Sequence, residues 1–536
     1  MIGLFLGLAA AQAGPHLDSV YLIMVDRFAN GNKSNDDTID LEDDSAFHGG
    51  DIEGIIQHLD DIESLGVDTL WLTPIMDMRT ERIGVHGAFH GYWVDDARRV
   101  EPRFGTLNDV VRLQKELDMR GMKLILDIVL NHVGPDTALT AAQPDWFRTN
   151  GDITEWGDEV QRRTHDVHGL PDFDHTQDAV VQHLIQDGKF WRSKVDLDGF
   201  RIDAVRHVDA PFLKTWVQTV GAGGSLVMAG EIFDGNALTV GREARDAGLT
   251  HTFDFPMYYA ITEGFCGPGD LRKIAAVLTQ DRYYPAQHQH ITFLDNHDTG
   301  RVRSVCKDKT EAAFALMTSL RGIPMITWGT EANLTGEGEP ENRADMVFER
   351  TDMRQWITDR LDERRSFSPM TDGKTEIIRA EVQRLVIARV LKNEAIIIDI
   401  GGDGTLPKLP KEAGAAQSLR LEDAGIHRWV LTPGPNESFS AWYDRLTQEA
   451  NETHTIGITT GGGRYVAGSD PSIGGWSVDG AVGPGSATVE LPRGGFVAVK
   501  TIKKPEGGQP IWSSYPDEFI DVDAVHETGK PFKLAQ

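Results

Sequence analysis

Cysteine is scarce in this chain of 536 residues: there are two, Cys266 and Cys306. Their spacing matches no metal-ligand motif. An exported chain could join them in a disulfide, and two buried free thiols fit equally well. Basic charge is also in deficit, with 53 Lys and Arg against 82 Asp and Glu and a formal net charge of −29. That balance disfavours polyanionic partners, so neither nucleic acid nor an anionic membrane surface is expected. Beyond the N-terminus, no apolar run is long enough to span a bilayer. The N-terminus itself is apolar and closes on Ala11-Gln-Ala13, the pattern of a signal peptide over residues 1–13 whose positively charged start is missing. It predicts a secreted protein, extracellular or periplasmic, with a buried N-terminal helix as the alternative.

Hydrophobic residues make up 40% of the chain and recur periodically, which predicts a sizeable core. Short apolar runs at 20–25, 69–73, 123–129, 199–204, 226–231, 250–253, 291–294 and 324–328 read as strands. Between most of them lie segments of helical spacing, such as 52–65, 107–120, 179–194 and 309–320. Eight strands with intervening helices predict an α/β fold, a (β/α)8 (TIM) barrel over 14–131 and 177–366 with its functional groups at the C-terminal strand ends. A doubly wound sheet is the structural alternative. Residues 132–176, rich in Asp, Thr, Gly, Pro and Trp, are too long for a plain loop and read as an inserted subdomain after strand 3. From 367 the pattern changes to strands alone. Two β-sandwich domains are expected, over 367–432 and 437–526, with a tail at 527–536.

In the stretch from Asp198 to His207, apolar Phe200, Ile202 and Ala204 alternate with Arg201 and Asp203. Arginine two positions before aspartate puts a fixed positive charge beside a carboxylate, which favours the ionised form a nucleophile needs. The same pairing also serves as an internal ion pair at a strand end. Other strand ends carry further polar residues: Asp127-Ile-Val-Leu-Asn131-His132, Gly230-Glu231, and Phe293-Leu-Asp-Asn-His297-Asp298.

These four blocks, in this order, resemble the α-amylase superfamily (glycoside hydrolase family 13), and the likeness runs from Tyr21 to Arg343. The resemblance implies a retaining, endo-acting hydrolase of α-1,4-glucosidic bonds in starch and maltooligosaccharides. Asp203 is then the nucleophile, Glu231 the general acid/base, and Asp298 the carboxylate that holds sugar hydroxyls. Retaining chemistry needs two carboxyl groups about 5–5.5 Å apart. Glu231 follows an apolar run, so partial desolvation would keep it protonated. His90-Gly-Tyr92-Trp93 also looks like the family: Tyr92 would stack under the reacting sugar, while His90, His132 and His297 would bond its hydroxyls. Arg343 resembles the arginine gripping a more distant sugar. Arg206 and His207 sit where the family contacts the leaving-side sugars, with arginine in place of the commoner lysine.

Calcium is the implied cofactor. Asn30, Asn32, Asn35, Asp36, Gly49 and Asp51 offer the hard oxygen donors of a site found in the cyclodextrin glucanotransferase branch. A second site resembles the one between barrel and subdomain, from Asn131, Asp172 and the His207 carbonyl. Near the C-terminus, the segments Val466–Trp476 and Val497–Trp512 resemble a starch-binding domain, with Trp476, Lys500 and Trp512 as its sugar platform and Asp517 where asparagine is usual. The short Gly483-Pro-Gly-Ser486 turn lacks the aromatics of that domain's second site. A monomer is expected. The runner-up activities are a cyclodextrin glucanotransferase, a cyclodextrin-degrading or maltogenic transglycosylase and, in another class, a non-catalytic glucan-binding relative. Glu231-Ile232-Phe233, without the Trp-Phe of the glucanotransferases, and the short subdomain favour hydrolysis.

Overall fold

The structure, a computed structural model, describes residues 16–285, 289–461, 463–505, 509–514 and 517–534. The signal-peptide reading of 1–13 lies outside the described residues. Eight parallel strands close into a barrel: β1 Val20–Ile23, β2 Thr69–Leu72, β3 Lys123–Ile128, β4 Gly199–Ile202, β5 Val227–Gly230, β6 His251–Phe253, β7 Gln289–Phe293 and β8 Ile323–Thr327. Neighbours in sequence are neighbours in the barrel, and β8 pairs back onto β1. The strands are short and almost wholly buried, as parallel strands covered on both faces must be. Register decides which side chains meet. Asp127 lies opposite Arg201, and Ile202 opposite Gly230, so the residues that follow β3, β4 and β5 emerge together at one end.

Residues 132–176 leave the barrel after β3 and carry the short helices Ala138–Ala142 and Glu159–Thr164. An isolated antiparallel bridge between His132 and Asp172 draws the two ends of the insertion together. Arg163 anchors its second helix to the barrel, donating to Glu243 at 2.7 Å and to the Val208 carbonyl. Cys266 and Cys306 form a disulfide, with Cα atoms 4.7 Å apart, which resolves the two alternatives left by the sequence. The bridge joins the segment after the helix Phe255–Ile261 to the short helix Val302–Cys306 beyond β7.

The first C-terminal module is one antiparallel sheet rather than two facing ones. Its strands are β9 Lys374–Ala380, β10 Leu385–Val390, β11 Ala395–Ile400, β12 Gln417–Asp423 and β13 Ile426–Thr432, in the order β9-β10-β11-β13-β12. Alternation sends Leu385, Ile387, Ile398 and Ile400 into the barrel's core cluster. Val386, Ala388, Ile397 and Leu431 face the other way, onto Phe439 and onto Trp442 and Leu446 of the helix Ser440–Glu449. The expected second sheet is therefore replaced by the barrel on one face and a helix on the other. That helix falls inside the range expected for the last module, yet it packs on the first.

The last module is a two-sheet sandwich. One sheet has β14 Thr453–Thr459 between β16 Ser486–Pro492 and β20 Phe532–Lys533. In the other, β17 Phe496–Lys503 pairs with β15 Tyr465–Gly468, β18 Ile511–Trp512 and β19 Glu518–Asp521. Ile456, Val466, Val489, Val499 and Ile520 fill the space between them. The expected tail at 527–536 supplies β20 and the buried Leu534, so these residues close the sandwich. A paired stretch of two residues is too short for periodicity to reveal. A cavity of about 820 Å³ lies where the barrel and both modules meet, away from the carboxylates at the strand ends. Among the described residues no helix is long and apolar enough to cross a membrane.

Candidate active site

Arg201 is the centre of the site. It projects from β4, almost completely buried, and its guanidinium reaches three carboxyl groups. Nη1 donates to both Asp127 oxygens at 2.9 Å and to Asp203 Oδ1 at 2.6 Å, and Nη2 lies 2.7 Å from Glu231 Oε1. One cation thus brings the ends of β3, β4 and β5 together. Glu231 Oε2 accepts a further bond from the Ala204 amide at 3.1 Å. Ala204 makes that bond with a positive φ of 48°, a conformation alanine adopts only under constraint. Burial pushes the Glu231 carboxyl up to about 8; Arg201 opposes the rise, while Asp203 and Asp298 add to it.

Asp298 follows β7 on the far side. Arg343 Nη2 donates to its Oδ1 at 3.0 Å, and His297 Nε2 lies 3.2 Å from its Oδ2. Burial opposes ionisation of Asp298, but His297, Arg343 and Arg201 outweigh it and hold the carboxyl below its ordinary value. Arg343 also bonds Glu339 and the His297 carbonyl, so it clamps the β7 loop. Arg343, expected to grip a more distant sugar, stands directly on Asp298.

The Tyr92 ring stacks on His297, with centroids 5.4 Å apart and planes 6° from parallel, and lies 5.7 Å from the His90 ring. Its hydroxyl donates to Asp127 at 2.9 Å and lies 2.7 Å from His297 Nε2. Trp93 meets His90 edge-on at 5.0 Å. Burial lowers the pKa of His90, His132 and His297, the last to about 3, so all three imidazoles are neutral at ordinary pH. Both ring nitrogens of His132 and Nδ1 of His297 are buried without a hydrogen-bond partner. A neutral ring with a free nitrogen can donate to or accept from a hydroxyl.

Arg206 lies 2.9 Å from Asp234 Oδ2 and donates weakly to the Phe233 carbonyl, tying β4 to the loop after Glu231. The His207 ring lies 2.9 Å from the Arg162 carbonyl of the inserted subdomain, and burial lowers its pKa to about 4. Sequence reasoning gave no site role to Asp127, Phe233, Asp234, Glu339 or Trp156. Asp127 was legible as a polar residue of the third strand's block, Asp127-Ile-Val-Leu-Asn131-His132, but its place opposite Arg201 in register was not. The others sit on loops, where periodicity carries no signal.

Among the described residues no three His, Cys, Asp or Glu converge as metal ligands. The two candidate calcium sites rely on amides and carbonyls instead. In the first, Asn30 Nδ2 donates to Asp36 at 3.0 Å, and a Cβ at Gly49 would lie 2.6 Å from Asn30 Nδ2 and 3.0 Å from Asp36 Oδ1. Asn30 Oδ1 and Asn35 Oδ1 are buried without a partner. Asp51 accepts from the Gly31, Asn32 and Gly54 amides, the last as a helix N-cap. The Asn32 side chain stands apart, accepting from Ser34. In the second, Asn131 Nδ2 donates to Asp172 at 2.8 Å, Asn131 Oδ1 is buried and unpaired, and burial pushes Asp172 up to about 8. Orphaned amide oxygens beside a desolvated carboxyl are the donor set of a hard cation, so both groups fit calcium.

In the last module, Trp476 and Trp512 lie with centroids 6.3 Å apart, and Lys500 Nζ is 3.2 Å from Asp517. These residues are remote in sequence from the barrel carboxylates, but the module that carries them is joined to the barrel where Asn236 beyond β5 donates to the Gly475 carbonyl.

The α-amylase catalytic-domain family matches residues 22–374. A β/α-amylase of Paenibacillus polymyxa is 35% identical over 367 residues, which are 63% of this chain but only 30% of that longer protein. A cyclomaltodextrin glucanotransferase of Klebsiella oxytoca is 27% identical, covering 91% of this chain and 89% of its own length. Among solved structures, the α-amylase of Anoxybacillus superposes with a TM-score of 0.71 at 29% identity, over 78% of this chain and 98% of that one.

Proposed function

Because the chain belongs to the α-amylase family, whose members are glycoside hydrolases, we propose that it is an endo-acting enzyme that hydrolyses α-1,4-glucosidic bonds with retention. The observation that carries this reading is the Arg201 fork, which holds Asp203 and Glu231 at 2.6 and 2.7 Å from the same guanidinium. Asp203 attacks the anomeric carbon and forms a glycosyl ester as the glycosidic bond breaks. Glu231, protonated because it is buried, gives its proton to the leaving oxygen. Water then enters, loses a proton to Glu231 and displaces Asp203, restoring both groups. Asp298, fixed by Arg343, accepts from ring hydroxyls, and Tyr92 with His90, His132 and His297 cradles the sugar.

Calcium bound by Asn30, Asn35, Asp36, Asp51 and the Gly49 carbonyl, and by Asn131, Asp172 and the His207 carbonyl, would supply structural cross-linking rather than chemistry. Trp476, Lys500 and Trp512 suit a starch-binding surface. Secretion is consistent with the disulfide.

The long match to a glucanotransferase supports a second reading, in which another sugar replaces water as the acceptor. Product analysis on soluble starch separates the two. Linear maltooligosaccharides released in the α-configuration are expected. Accumulating cyclodextrins would replace hydrolysis by transfer, and release of β-anomers would overturn the retaining mechanism.

A further inference from the structure

Arg343 does not hold itself in place. It ends a single turn of 3-10 helix, Glu341–Arg343, and the last carbonyls of such a turn have no partner within it. Those of Asn342, Arg343 and Ala344 are each taken by a buried side chain from elsewhere. Arg301 Nε donates to the Asn342 carbonyl at 2.6 Å, Arg27 Nε to the Arg343 carbonyl at 3.0 Å and Trp328 Nε1 to the Ala344 carbonyl at 3.0 Å. Arg27 lies just beyond β1, Arg301 on the segment after β7, and Trp328 directly follows β8. These strands are consecutive around the barrel, in the order β7-β8-β1. Three neighbouring strands therefore grip three consecutive carbonyls.

The three donors are themselves fixed. The Arg27 guanidinium lies 3.8 Å over the Phe89 ring and also donates to Asp26 and to the Asp44 and Ala46 carbonyls. Arg301 lies 4.4 Å over the Trp328 ring and donates to that residue's own carbonyl at 2.7 Å, so these two brace each other. The arrangement is costly. Burial works against the charge of both arginines, and Nη2 of Arg301 is left buried without a partner. Water could satisfy a carbonyl more cheaply but would leave the turn free to shift. A planar, stacked guanidinium holds it in one position. What is gained is a fixed base for Arg343, whose Nη2 reaches Asp298 Oδ1 at 3.0 Å.

We infer that Arg27, Arg301 and Trp328 are positioning residues for the reaction: by holding the carbonyls of 342–344 they fix Arg343, and through it the carboxylate of Asp298. This rests on the proposed glucan-cleaving activity, in which Asp298 takes sugar hydroxyls, and adds the support that keeps that carboxylate in place. Arg27 and Trp328 act through Arg343 alone. Arg301 has a second route, because Asn342 also donates to the His297 carbonyl at 3.0 Å.

The test measures kcat and KM on maltotetraose, with Tm alongside. Arg27→Lys keeps a positive charge beside Asp26 but cannot span the same carbonyls. Trp328→Phe keeps a ring under Arg301 and loses the N–H that Ala344 needs. The first is expected to lower kcat/KM about tenfold and the second about threefold, the effect of a weakened hydrogen bond with a charged or a neutral donor. The loss is expected in KM, because a sugar contact acts in bound substrate and transition state alike. Partial unfolding would instead lower the apparent kcat and leave KM alone. In an Arg343→Ala background, both substitutions are expected to change kcat/KM by less than about twofold. Parent-like KM in both variants, whatever their Tm, overturns the inference, and so does a full further loss in the Arg343→Ala background. Should Arg27→Lys fail to fold, Trp328→Phe decides alone. A parent enzyme inert on every α-1,4-glucan would overturn the activity itself, and with it this inference, before any variant is compared.

Discussion

Glu231 and its surroundings set the pH behaviour. Its carboxyl titrates near 8 in the fold, against an ordinary 4.5, so the protonated form persists through neutral pH and disappears above about 8. As the proposed proton donor, Glu231 then loses its working form on the alkaline side, and kcat/KM is expected to fall there with a limb near pH 8. Glu231→Gln cannot give up a proton in this way. It is expected to lower kcat by about 10²–10⁴-fold and to erase that limb from the residual rate, both read from a pH profile on a soluble oligosaccharide. Survival of full activity in this variant would remove Glu231 from its role. The roles of such residues came from the family resemblance of four motifs that lie at strand ends in the sequence. The contacts between them did not: that Arg201 also holds Asp127, and that Arg343 stands on Asp298, depends on register between strands and on loops distant in sequence.

At the scale of elements, the barrel strands were legible because each is a short apolar run, buried on both faces and followed by a polar residue. The inserted segment stood out for a different reason, a composition rich in Asp, Thr, Gly, Pro and Trp over a length too great for a plain loop, though its two short helices were not foreseen. What joins these elements was less visible. The Cys266–Cys306 bridge spans 40 residues and ties the segments after β6 and β7. Replacing both cysteines by serine is expected to lower unfolding free energy by about 2–4 kcal/mol, measured by denaturant titration. Equal stability with and without the bridge would show that packing alone sets this region. The orphaned oxygens of Asn30, Asn35 and Asn131 give a second expectation. Exhaustive chelation should lower Tm and activity together, and added calcium should restore both. Unchanged melting after chelation would exclude calcium as a stabiliser.

For the whole molecule, a barrel followed by two β-rich modules could be read from changes in periodicity. The layer that covers each sheet could not. β9–β13 alternate as one half of a sandwich would, and alternation cannot tell whether the opposite layer is a sheet, a helix or a barrel wall. Here it is the last two. Likewise β20 returns from the C-terminal end to pair with β14, the first strand of its module, a closure that local patterning cannot announce. Removing residues 530–536 is therefore expected to loosen the last module, seen as faster proteolysis there, while the barrel keeps its melting transition. Simultaneous loss of both would mean that the module's contacts with the barrel, Phe496 on Thr279 and Gly475 on Asn236, carry the barrel's stability as well.

Arg201 has a further consequence for anyone wishing to retune this enzyme. The proposed acid and nucleophile hang from one bracket, so a change to that bracket moves both at once and cannot adjust one against the other. The handle for shifting the pH optimum lies across the cleft instead. His297 and Arg343 act on Asp298, whose charge raises Glu231 through space, though Asp298 also feels the Arg201 charge.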